Sequence, residues 1–252
     1  MNCDISFPCG LRKFILRGLV AVGLFGGTPA AWGFYFTPTE LEFKSWPIHC
    51  QGIYLGTEIA KKSGFSGRMP AKEVGKWRRY AYQHGGAWHY CEAPIQINRA
   101  LLAQNPVVRK KHYDSAVSAA LWSYIRTSND KPWKAEMGTT LARAYRGTGD
   151  IKNAEKYSKE VIHYFPGYVD AYSVLSLIYK DSNDNVAAKE ILVRGNKVAK
   201  EKSAEILYFL GLISLDLGEV EEAKIYAEKA TLLGYPLSGL NERIKRLKKS
   251  ED

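Results

Sequence analysis

From Ala135 onward the apolar positions follow a helical period, and the whole pattern then recurs. Leu141, Tyr145, Ala154 and Pro166 are answered 34 residues later by Leu175, Tyr179 and Ala188, with Lys200 where the proline would fall. The first and third members recur 35 residues further on as Leu210, directly followed by Gly211, and Ala223. Polar turns recur in step: Gly149-Asp150, Asn183-Asp184 and Gly218-Glu219. Gly and Asn tolerate positive φ just past a helix C-terminus, and Asp can cap the helix that follows. Each unit therefore predicts a helix, a tight turn and a second helix, with alanines where the helices approach closely.

Upstream, Tyr113, Ala116, Val117, Ala120, Leu121 and Tyr124 keep i, i+3, i+4, i+7 spacing, which predicts a helix opened by Pro106. A preceding helix from Trp88 to about Gln104 should be kinked by Pro94. Trp46-Pro47 opens a short helix, Ser63–Gly67 is a loop, and Pro70 starts a helix with Val74, Trp77 and Ala81 on one face. Residues 34–45 read as an ordered arm with Phe34, Tyr35 and Phe36 docked. After Pro236, Leu240, Ile244 and Leu247 form a stripe on a basic helix, either a cap with a polar outer face or, through Arg243–Lys249, a contact for anionic lipid.

A 34-residue period with leucine, a small residue and tyrosine in one helix, then alanine, then proline, resembles the tetratricopeptide repeat. The resemblance implies an all-α, right-handed helical solenoid. Its expected parts are a leader at 1–33, an N-terminal helical cap region at 34–84 and a divergent helix pair at 85–134. Three repeats follow at 135–168, 169–203 and 204–237, with a capping helix at 238–252. In the divergent pair Trp88 takes the slot of Tyr172, Ala116 answers Ala154, and an insertion of about 12 residues lengthens the turn. The stretches Trp46–Cys50 (WPIHC), Ala87–Cys91 (AWHYC) and Tyr235–Leu240 are similar to a group of exported bacterial tetratricopeptide proteins. That similarity bears on architecture and not on mechanism.

Arg12, Lys13 and Arg17 precede the apolar run Gly18–Gly27, and Ala31-Trp32-Gly33 offers a small-x-small cleavage site. This order predicts a secretory signal ending near Phe34 and a periplasmic or secreted protein, with an uncleaved inner-membrane anchor as the alternative. Nothing downstream is apolar enough to span a bilayer. Removing residues 1–33 takes away three basic residues and one acid, so the formal charge falls from +10 to +8. Export argues against nucleic acid as a partner; the excess reads as a general basic surface.

Cys50 and Cys91 are then the only cysteines, which in an oxidising compartment reads as one disulfide. The competing reading is a zinc site built with His49, His84 and His89. Neighbouring His49 and Cys50, and likewise His89 and Cys91, do not share a helical face. No Gly-rich phosphate loop, nucleophile elbow, H-E-x-x-H or C-x-x-C occurs, so no cofactor and no catalytic set is expected. The reading is a non-enzymatic interaction scaffold; the alternative is an enzyme or metal carrier with its site in residues 34–130. In similar solenoids the first helix of each pair lines a concave groove. The corresponding positions here are Thr139, Arg143, Arg146, Ser173, Leu177, Lys180, Tyr208 and Leu212. Their basic character predicts an acidic peptide or protein tail as ligand, unless Glu136, Asp170, Asp181 and Glu205 pair with them.

Overall fold

The computed structural model describes residues 34, 36–83 and 87–251, with side chains given for all of these but 87 and 248–251. The expected leader at 1–33, Tyr35 and His84 lie outside the described residues. Helix α1 (Glu40–Ser45) is the first departure from expectation, since residues 34–45 are an arm only as far as Thr39. Thr39 and Glu42 form a reciprocal capping box, which satisfies two of the amide N–H groups that a helix start leaves open. Phe34 docks as expected, its ring 5.2 Å from Trp46 and 5.3 Å from Tyr54, and Phe43 adds to the same cluster.

Helix α2 (Ile48–Leu55) follows Pro47, which stands at the N-cap, one residue before the first helical position. A further short helix, α3 (Glu58–Lys62), starts at Thr57, whose hydroxyl accepts from the Ala60 amide. Helix α4 (Ala71–Gln83) crosses α2 at Gly52, where a Cβ would lie 2.2 Å from the Trp77 ring; only glycine lets the two helices come so close.

Pro94 does more than bend its helix. Its ring excludes the carbonyl four residues back, that of Tyr90, so the helix is interrupted at Cys91 into α5 (Ala87–Tyr90) and α6 (Glu92–Leu102). Helix α7 (Pro106–Arg126) is capped by the Asn105 side chain and packs along α6. The turn between them is only residues 103–105. The extra length of the divergent pair therefore lies in α5 and in the 21 residues of α7, and not in a longer turn. Ala116 is fully buried, as are its counterparts Ala154, Ala188 and Ala223.

The clear repeats form α8 (Trp133–Thr148) with α9 (Ile151–Tyr164), α10 (Val169–Asp181) with α11 (Asn185–Val198), and α12 (Ala204–Asp216) with α13 (Val220–Leu232). Their turns use the expected chemistry. Gly149, Asn183 and Gly218 have φ of 84°, 59° and 81°, and the carboxylates of Asp150 and Asp184 accept from the amides three residues on. Helix α14 (Gly239–Glu251) closes the stack with Leu240 and Ile244 buried; Gly211 makes room for Leu240, which a Cβ would meet at 2.4 Å.

The first helices α8, α10 and α12 touch in series, and α12 continues to α14. One hydrophobic core runs from Phe34 and Trp46 through Tyr90, Ala116 and Leu141 to Ile178, so the N-terminal helices and the early repeats solidify together. Among the described residues no helix is long and apolar enough to cross a membrane.

Candidate partner-binding face

Cys50 and Cys91 are bonded to each other, with their Cα atoms 5.4 Å apart. The bond ties α2 to the break between α5 and α6. His49 approaches both sulfurs, all three candidate ligand atoms lying within 4.8 Å, so the zinc reading found its neighbours. While the disulfide stands, however, neither sulfur is a thiolate able to bind metal. Burial pushes the His49 imidazole down to about 4, so at neutral pH it is uncharged. Its Nε2 lies 3.5 Å from a Glu136 carboxylate oxygen. His89 is away from this group, its ring packed between Trp88 and Trp122 at 3.4 and 3.9 Å.

The expected groove residues separate into three kinds. Thr139 and Ser173 are buried; the Thr139 hydroxyl donates to the Ala135 carbonyl of its own helix. Tyr208 is buried as well, stacked on Tyr235 with ring centroids 4.4 Å apart, and Leu177 and Leu212 are half-buried. The basic residues are the third kind, and they meet acids of the next repeat. Arg146 donates from Nε and Nη2 to the two oxygens of Asp181, at 2.6 and 3.1 Å. Lys180 pairs with Asp216, which also accepts from Arg243 at 2.7 Å. Burial works to raise the Asp216 carboxyl, but these two cations prevail and hold it below the usual range.

For Arg146 and Lys180 the alternative of pairing with neighbouring acids therefore holds. Arg143 in turn stands among carboxylates. Glu136, Asp170 and Glu205 are the second residues of three successive repeats, 34 and 35 positions apart, and all three act electrostatically with Arg143. Asp170 is the nearest, with a carboxylate oxygen 4.0 Å from the guanidinium.

Glu136 is pushed up chiefly by burial and further by Asp170, against the hydrogen bond it accepts from Tyr90 at 2.7 Å. Burial also raises Glu205, although Arg143 and the Ser173 hydroxyl act to lower it. The Tyr168 phenol is raised by burial and then by Asp170 and Glu136. Among the described residues the face holds these carboxylates beside Arg143, with Tyr168, Tyr208 and Tyr235 near them. For Glu136 and Glu205 the cost of desolvation exceeds the compensation they receive.

Sequence reasoning named these acids as pairing partners and not as the site. The signal was present in the same repeat alignment, since an acid recurs at the second position of each unit. Partial burial of Glu136 and Glu205, which raises them, is not visible in that alignment.

A series of helix hairpins repeating every 34–35 residues, with the first helices in contact in series, defines a helical-repeat fold. The family model of the tetratricopeptide repeat matches residues 204–233, the α12–α13 hairpin and its turn. That hairpin matches a tetratricopeptide repeat, and the two hairpins before it share its period.

No curated protein matches it in sequence. Among solved structures it is similar to TTC0263, a thermophilic TPR protein of Thermus thermophilus, at 18% identity over 67% of this chain and 93% of that one, with a TM-score of 0.46. It is also similar to MamA, at 18% identity over 66% and 95% with a TM-score of 0.43. A third is pilF of Pseudomonas aeruginosa, at 11% identity over 84% and 86% with a TM-score of 0.47. These partial superpositions carry nothing about function.

Proposed function

We propose that the protein is an exported interaction scaffold whose concave face holds an extended partner segment, with a lysine, arginine or N-terminal ammonium of that segment set among Glu136, Asp170 and Glu205. The observation that supports this reading is the set of three carboxylates sharing one arginine, two of them with raised pKa. A bound cation would supply the missing compensation, and the tyrosines would offer it aromatic edges and faces. The half-buried Leu177 and Leu212 would take apolar side chains of the same segment. An acidic ligand, expected from the basic residues taken alone, would have to displace Asp181 and Asp216 first.

Selection of a random peptide library on the mature protein tests the chemistry. Peptides bearing lysine or arginine are expected, and enrichment of acidic peptides would overturn the proposal. Binding should also depend on pH with a definite sign. The free carboxyls hold protons above their ordinary pKa of 4.5, and a bound cation lowers them, so binding releases protons. Affinity should be highest where both are ionised and fall as pH drops through their raised values. Replacing both Glu136 and Glu205 by Gln should cost about 10- to 100-fold in affinity and remove the pH dependence.

Export rests on the leader at 1–33 and on the disulfide, a bond that persists in oxidising compartments. Sequencing of the native N-terminus is expected to begin near Phe34, whereas a retained Met1 would make the protein membrane-anchored. A role in envelope or exopolysaccharide assembly would fit an exported scaffold of this kind.

A further inference from the structure

The turn between α6 and α7 projects four large aliphatic side chains into solvent. Leu101 and Leu102 end one helix and Val107 and Val108 begin the next; they are 66%, 75%, 77% and 45% exposed. Large apolar residues gathered at a tip, in contrast to single scattered ones, call for an explanation. Directly beside them stand Arg109, Lys110 and Lys111; Lys110 pairs with Asp114 one turn further on at 2.9 Å, and Lys111 is exposed. All of residues 104–111 are exposed.

The backbone at this tip is satisfied from within. The amides of Val107 and Val108 donate to the Asn105 side chain at 2.8 and 3.3 Å, and the Arg109 amide donates to the Asn105 carbonyl at 2.9 Å. The Ala103 amide donates to the Ala100 carbonyl, and the Ala103 carbonyl itself receives two bonds from the Arg109 guanidinium at 3.2 and 2.8 Å. These groups of the turn can leave water without losing their partners, a condition that a hydrocarbon environment imposes and a wet surface does not.

We infer that the α6–α7 tip is a membrane-surface anchor, with Leu101, Leu102, Val107 and Val108 entering the acyl boundary of an anionic bilayer while Lys111 meets lipid phosphates. Two observations select this occupant. The charge flanking the aliphatic residues is positive, which complements anionic headgroups. The internal hydrogen bonding lets these backbone groups lose their contact with water. Anchoring at this turn is independent of the concave face and would leave Glu136 and Glu205 free for a partner.

The test uses the full chain with Cys3 and Cys9 replaced by Ser, so that one added cysteine can carry an environment-sensitive fluorophore while Cys50–Cys91 stays bonded. With the fluorophore at Gln104→Cys, emission should rise severalfold and shift to the blue on phosphatidylcholine vesicles containing phosphatidylglycerol. At the exposed control position Lys202→Cys it should not change. Adding Leu101→Ser, Leu102→Ser, Val107→Ser and Val108→Ser should abolish the rise at 104. Lys111→Glu should weaken its dependence on phosphatidylglycerol. An unchanged emission at 104 on the anionic vesicles, or an equal change at 202, overturns the inference. Because each reading is local to its label, binding through the N-terminal leader cannot imitate the expected result.

Discussion

Replacing both Cys50 and Cys91 by serine is expected to lower the melting temperature by about 10 °C. The two residues are 41 positions apart, and closing a loop of that length removes about 4 kcal/mol of chain entropy from the unfolded state. For a domain of this size each kcal/mol moves the midpoint by about 2–4 °C. Both cysteines are completely buried, so the two hydroxyls would also need partners in an apolar setting. The helix break at Cys91 loses its covalent tie to α2 at the same time. Thermal melts of the two proteins followed by circular dichroism measure the effect. A double variant that melts within a degree or two of the parent would show that the N-terminal helices are held by packing alone.

Trp46→Ala should be as damaging, at about 3–5 kcal/mol. The indole is 3% exposed and sits among Phe34, Phe36 and Tyr54 at ring separations of 5.2, 6.0 and 5.6 Å. Its Nε1 donates to the Cys91 carbonyl at 2.6 Å, so the same residue joins the aromatic arm to the helix break. Alanine would open a cavity and deprive a buried carbonyl of its donor. Trp46→Phe keeps much of the packing but not the hydrogen bond, and is expected to cost about 1–3 kcal/mol. Urea unfolding of the three proteins separates the two contributions. Because Trp46 and the disulfide hold the same junction, combining Trp46→Phe with the cysteine variant should give a non-additive loss. Strict additivity would mean that the two act on separate parts of the fold.

The repeats were legible because their chemistry is local. Gly149, Asn183 and Gly218 needed positive φ, Asp150 and Asp184 had an amide to cap, and each buried alanine marked a close helix crossing. Helix α1 was legible as well, since Thr39 and Glu42 carry the capping-box spacing, but the aromatic run around them drew the reading toward an arm. The interruption at Cys91 needed the i−4 clash of Pro94 to be taken as a break and not as a bend.

The groove was another matter. Arg146 reaches Asp181 and Lys180 reaches Asp216 across 35 and 36 residues, a pairing that spacing within one helix does not reveal. Burial and the Asp170 charge then raise Glu136 and Glu205, an environment that exists only after the chain has folded. Two of the cations that made this surface read as basic are thereby paired with acids of the next repeat.

The central claim is that a partner occupies the concave face, and site-specific photo-crosslinking in the native compartment tests it most directly. A photoreactive phenylalanine analogue at Leu177, on the inner helix α10, is compared with one at Val186, which is 60% exposed on α11. The account predicts a discrete crosslinked partner from Leu177, absent from Val186 and lost when Glu136 and Glu205 are changed to Gln. Crosslinking from Val186 alone, or an adduct at Leu177 that survives loss of both carboxylates, would contradict it.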